Sequence, residues 1–250
     1  MQGRLAYDVG TMFKLLKSIF NSQPAALSFY RFYRKLEDWK NAKRYPYTYE
    51  LPEAISLSPK VHSEFIRLFK LTRSDGKERA ITLWLVDREV IVSSVTKGSS
   101  KSVTPKSSIQ VKYDKTHKPE YFDRKVYVDG KLYSKRRMHY KKIPKKVDIK
   151  YLFNMHTHPP HTDPTTGKTY YSFFSLQDIK SLISSQAIVS GMIGDKIWLL
   201  VRTSRTPSIA HECDEHKFNS QVLFEQYGLV TYTGDFKQKL RKIGLQQGNS

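Results

Sequence analysis

A chain of 250 residues can form one domain with a sizeable core plus additions, or two small domains. With 39% hydrophobic and 26% charged residues it reads as soluble and globular, and no run of about 18 apolar residues exists to form a transmembrane helix. A net charge of +20 favours polyanionic partners, nucleic acid or an anionic membrane, and the alternative is a solubility bias or adaptation to salt or heat. Cys213 is the only cysteine, which excludes an intramolecular disulfide and a cysteine-rich zinc module and fits a reducing compartment. No cleavable secretory signal is visible, so an intracellular, cytoplasmic location is expected. The apolar and basic stretch 12–20 allows a mitochondrial reading, against which Asp8 weighs.

Residues 1–57 read as a helical N-terminal extension. Phe13, Leu16 and Phe20 have helical spacing, and Pro24 breaks that segment. In the next segment Phe29, Phe32, Tyr33 and Leu36 fall on one helical face, with Arg31, Arg34 and Lys35 between them. Aromatics and arginines together suit nucleic acid. An apolar stripe with charges opposite is also what surface helices show by default. Ser58-Pro59 then opens a helix as N-cap and first residue, with Val61, Phe65, Leu68 and Phe69 on its apolar face and Ser74-Asp75-Gly76 at its end. A β-rich segment runs from Ala80 to about Thr96, with a turn at Asp87-Arg88-Glu89.

Residues 101–150 form a basic insertion, with sixteen Lys/Arg against five Asp/Glu. A hairpin is expected over 125–133 around Asp129-Gly130. The densest tract is Lys135, Arg136, Arg137, Lys141, Lys142, Lys145 and Lys146. It is either a nucleic-acid site or a solvated strand edge on which lysines block unwanted pairing. Downstream, 151–158 reads as a buried strand, 159–174 as a loop, 175–186 as an amphipathic helix, and 187–193 and 196–201 as strands. The remainder, 204–250, reads as a helical C-terminal extension, with a helix over about 210–227.

The chemistry concentrates at His156-Thr-His158-Pro159. Histidines at i and i+2 of a strand share a face, so both imidazoles can reach one metal ion. An isolated pair would more often be ordinary hydrogen-bonded histidines. Asp178, in the first turn of a helix that Ser175 can cap, adds a third candidate ligand. A plain Ser-x-x-Asp capping box explains Ser175 and Asp178 but not the histidines. Three N/O ligands leave a position for water, as catalytic zinc sites do.

These residues resemble the JAMM family, also called MPN+ or JAB domains, whose signature is an upstream glutamate, His-x-His-Pro and Ser-x-x-Asp. The resemblance covers roughly 58–203. It implies an α/β fold with a JAMM/MPN-like mixed β-sheet core flanked by helices, carrying the basic insertion. It also implies Zn²⁺ held by His156, His158 and Asp178, with Glu78 as the general base at the start of a core strand and Ser175 as a hydrogen-bond donor to the oxyanion. Glu64, within a helix, and Glu89, at a turn, compete with Glu78 for the glutamate position. The implied reaction is zinc-dependent hydrolysis of an isopeptide or peptide bond in a protein substrate, often a ubiquitin-like conjugate. Family members without the ligands act as scaffolds, so the rival expectation is a basic nucleic-acid- or ribonucleoprotein-associated scaffold on the same fold.

Fifteen residues, 160–174, separate Pro159 from Ser175, which is longer than the family's usual loop. This loop is either a substrate-gripping lid with Tyr170, Tyr171 and Phe173 at its end, or an insertion without a role. It also carries His161 and Asp163, poor ligands on a flexible loop. A second cluster, His211, Glu212, Cys213 and His216, is not a zincin helix: histidines five apart diverge by roughly 140° on a helix. The acidic neighbours of Cys213 disfavour a thiolate.

Overall fold

The computed structural model describes residues 26–87, 89–210 and 218–243. The stretch 12–20, Arg88 and the 211–216 cluster therefore lie outside the described residues. In chain order the elements are β1 (Leu27–Ser28), α1 (Phe29–Asn41), β2 (Ala54–Ser56), α2 (Pro59–Asp75), β3 (Arg79–Val86), β4 (Glu89–Val92) and β5 (Thr96–Lys97). The basic region supplies β6 (Ile109–Lys115), β7 (Tyr121–Val128) and β8 (Lys131–His139). Then come β9 (Ile149–Thr157), β10 (Pro160–Thr162), β11 (Thr169–Tyr171), α3 (Leu176–Ser184), β12 (Val189–Ile193), β13 (Ile197–Arg202), α4 (Ser220–Tyr227), β14 (Leu229–Gly234) and β15 (Leu240–Lys242).

One mixed sheet organises the fold, in the order β1-β2-β15-β14-β13-β12-β9-β3-β4, with β5 paired to β3. The pairs β1–β2 and β9–β12 are parallel, and the other pairs are antiparallel. Strand alternation divides its side chains between two helical layers. Ile81, Leu83, Phe153, Met155, Ile193 and Leu199 pack with α1 and α2. Met192, Leu200 and Leu229 pack with α3 and α4. The α/β class with a mixed sheet flanked by helices is thus the observed architecture.

The capping expected for α2 is present: the Ser58 hydroxyl accepts from the Val61 N–H, and Gly76 follows the last turn at φ 66°. Phe29, Phe32, Tyr33, Leu36 and Trp39 of α1 are buried in the core, so that aromatic face is not available to stack on bases. The expected helical character of the two ends needs correction. β1 and β2 precede α2, and β14 and β15 follow α4, and all four belong to the main sheet. β1, β2 and β15, of two or three residues, carry no readable period, the six-residue β14 lies within the segment expected to be a helical extension, and α4 begins only at Ser220.

The basic region is a three-stranded antiparallel meander. Asp129 and Gly130 at its second turn both have positive φ, as a tight hairpin turn requires. Its apolar face, Val111, Val126 and Val128, packs on Val86 and Ile91. Lys112, Lys125 and Lys135 lie in register on the other face. That face is partly neutralised from within: Lys125 pairs with Asp114, and Lys135 and Arg137 pair with Asp123.

Candidate metal centre

β9 runs between β3, antiparallel, and β12, parallel. The β9–α3–β12 crossover returns the chain over one face of the sheet, which brings the N-terminus of α3 to the end where β9 finishes. His156 and His158 point to that same face, and Thr157 points to the opposite one. Asp178, the third residue of α3, therefore arrives beside both histidines.

The three side chains converge. His156 Nε2 lies 3.0 Å from His158 Nε2. Asp178 Oδ1 is 3.2 Å from His156 Nε2, and Oδ2 is 3.5 Å from His158 Nε2. Ligands about 2.0–2.1 Å from a tetrahedral ion sit roughly 3.3 Å apart, so these separations match the edges of such a site. His158 Nδ1 donates to the Ser172 carbonyl at 3.2 Å, which leaves Nε2 with its lone pair turned inward. Two imidazole nitrogens and a carboxylate face one point, and the cluster can hold a metal ion.

Burial alone would raise the Asp178 carboxyl, but the His156 and His158 imidazoles outweigh it and hold that carboxyl well below its ordinary value. Burial alone would lower His158; the hydrogen bond and charge of Asp178, then Glu78 and the Ser172 carbonyl, raise it instead. Burial raises the Glu78 carboxyl, against the pull of His158 and His156.

Glu78 is 8% exposed and lines a cavity of about 720 Å³ together with His158 and Ser175. The β3–β9 register sets Ala80 opposite His156, so its continuation sets Glu78 opposite His158. The competing glutamates lie elsewhere. Glu64 is paired with Arg67 on the surface of α2, and Glu89 is an exposed β4 residue 3.8 Å from Lys60.

Ser175 is the N-cap of α3 in a full capping box. Its hydroxyl accepts from the Asp178 N–H at 3.2 Å and donates to Asp178 Oδ2 at 2.8 Å, and its own N–H donates to the same oxygen at 2.8 Å. Cap and candidate ligand are thus one unit: the box that starts the helix also fixes the carboxylate that faces the histidines.

The long loop is ordered as the β10–β11 hairpin. Tyr171 packs on Phe69, with ring centroids 5.6 Å apart, and Phe173 meets Trp198 edge-on at 5.0 Å. Of the three aromatics expected in a lid, Tyr170 is the exposed one, at 48%. Asp163 spends its carboxylate on the Thr165 and Thr166 N–H groups of the hairpin turn, and His161 lines the cavity outside the three-ligand cluster.

Sequence reasoning missed the supports of the site. Thr157 Oγ1 lies 2.5 Å from Thr72 Oγ1 of α2 and accepts from the Arg79 N–H at 2.9 Å. The buried Arg79 guanidinium forms two 2.8 Å bonds with Asp75. These contacts clamp the segment carrying Glu78 between the end of α2 and the histidine strand. Strand alternation could have shown that Thr157 faces away from the two histidines, but not what it meets.

No protein-family model, curated protein or solved structure matches the chain.

Proposed function

We propose that this chain is a JAMM-type zinc hydrolase of isopeptide or peptide bonds, with a protein, such as a ubiquitin-like conjugate, as its substrate. The observation that carries the reading is the convergence of His156, His158 and Asp178, of which His158 lines a cavity together with the buried Glu78 and Ser175. A zinc ion held by those three residues would polarise the scissile carbonyl and lower the pKa of a water towards about 7. The nitrogen-and-carboxylate donor set suits zinc, and the His158–Ser172 bond supplies the outer support that metal-bound histidines use.

The residues of the chain do the rest. Glu78, raised by burial, is the stronger base for it: it takes a proton from water in the cavity and passes it to the leaving nitrogen. Ser175 holds Asp178 and caps its helix. Its hydroxyl lines the cavity and serves the developing oxyanion by turning its proton from Asp178 to the substrate oxygen.

The test is Glu78→Gln, assayed against ubiquitin-like conjugates and unmodified peptides with and without a chelator. The variant is expected to keep its metal and lose at least about 100-fold in turnover, the scale of general-base catalysis. Unchanged turnover would remove Glu78 from the mechanism. Cleavage by the wild type that no chelator suppresses would remove the metal.

A second reading rests on the β6–β8 meander: its solvent-facing lysines make a surface for nucleic acid, so the fold serves as a basic scaffold or places the hydrolase near a ribonucleoprotein. The two readings are compatible.

A further inference from the structure

The C-terminal end of α3, the end away from Asp178, meets a second set of charged side chains. Arg202 closes β13 on the face that carries α3 and is 5% exposed. Its Nη1 donates to the Leu182 carbonyl at 3.3 Å and the Ser185 carbonyl at 2.9 Å, which satisfies the last turn of the helix. The Tyr45 ring lies over the guanidinium, 4.1 Å from Cζ to the centroid. Among the described residues the Nε–H is buried with no hydrogen-bond partner. Burial pulls the guanidinium below its ordinary value, with only Tyr45 acting against it. A buried cation compensated by carbonyls and a ring, rather than by a carboxylate, is costly.

Beside Arg202 opens a cavity of about 270 Å³, and Lys40, Lys43, Arg44 and Gln186 reach it. Among the described residues no acidic side chain lines this smaller cavity. Arg44 is committed to Glu50 through two 2.7 Å bonds. Lys40 suits the negative end of α1, in whose last turn it sits. That explanation covers neither Lys43 nor the inward-facing Arg202. The basic opening also shares Lys40, Ser185, Gln186 and Ile188 with a larger cavity of about 420 Å³, whose walls include Leu36, Tyr151, Leu152 and Val189, and Glu37, whose carboxylate is paired with Lys150.

We propose that this joint opening binds a phosphate-type oxyanion carried on an apolar or aromatic body. The oxyanion sits among Arg202, Lys40 and Lys43, and its body lies along Leu36, Tyr151 and Leu152. Guanidinium and ammonium donors facing one opening fit an oxyanion with several acceptor atoms. The site is separate from the metal centre, at the opposite end of α3, and does not depend on the hydrolase reading.

Isothermal titration of the full chain tests this, with inorganic phosphate and phenyl phosphate at ionic strength held constant with sodium chloride. Saturable binding at one site is expected for both, with phenyl phosphate tighter by about tenfold or more through its ring. Lys40→Gln with Lys43→Gln, two exposed positions that leave the Arg202 cap intact, should weaken both by about tenfold or more. Lys112→Gln with Lys131→Gln, on the separate meander, should change neither. Absence of saturable binding, or equal weakening by the two lysine pairs, would overturn the site and leave only attraction to net charge. Equal affinity for the two probes would overturn the apolar half.

Discussion

Thr157 shows how the centre is held at the scale of single residues. It sits between the two histidines and faces the other way, where its hydroxyl ties the histidine strand to Thr72 and to the Arg79 N–H. Thr157→Val keeps the shape and removes the hydroxyl, leaving a buried N–H and a buried hydroxyl without their partner. The expected cost is about 1–3 kcal/mol in a urea unfolding titration. On the proposed hydrolase reading, turnover should fall as well, because the clamp joins the segment carrying Glu78 to the strand carrying His156 and His158. Unaltered stability would show that the hydroxyl contacts contribute nothing. The histidine pair was legible in the sequence because alternation along a strand is a local rule. The partners of Thr157 were not, because they lie 78 and 85 residues away.

At the scale of elements, the ends of helices carry the site. The Ser-x-x-Asp spacing specified the start of α3 in the sequence, since a capping box needs only four neighbouring residues. The supports at the other helix end were not legible: Asp75, in the last turn of α2, joins Arg79 to Lys97 across the turn that precedes β3. The Arg79 hydrogen bond, then that of Lys97, holds the Asp75 carboxyl far below its ordinary value. A depressed carboxyl stabilises the fold above the unfolded-state value of about 3.9 and loses that contribution as pH falls through the folded value. Asp75→Asn should therefore lower Tm near pH 6, and the gap to wild type should close as pH falls below about 4. A gap that stays constant with pH would contradict the ion-pair account. The β10–β11 hairpin was hidden for a related reason. Its strands are three residues long and rich in Thr, Tyr and Pro, which read as loop.

At the scale of the whole molecule, the ends of the described chain join the same sheet, and the basic meander forms a separate sheet that packs on β3 and β4 through a small second core. The class of fold was legible because the strand–helix–strand order around the histidines is local. The contribution of β1, β2 and β15 was not, because two- and three-residue pairings arise from long-range contacts, and that of β14 depends on its pairing with β13 across the intervening α4. The meander gives the charge of +20 a place, though its aspartates offset part of the lysine row. If that face binds nucleic acid through about three to five phosphate contacts, affinity for a single-stranded oligonucleotide should fall with log salt at a slope of about −2 to −3.5. A flat salt response, or no binding at low salt, would remove this partner.

The central claim is that His156, His158 and Asp178 hold a catalytic zinc. Elemental analysis of the chain purified without added metal tests it most directly, with His156→Ala and Asp178→Asn run in parallel. About one zinc per chain is expected in the wild type, and well under half of that in either variant, since three-ligand sites do not survive the loss of a ligand. Absence of stoichiometric metal in the wild type, or equal metal in all three proteins, would contradict the account.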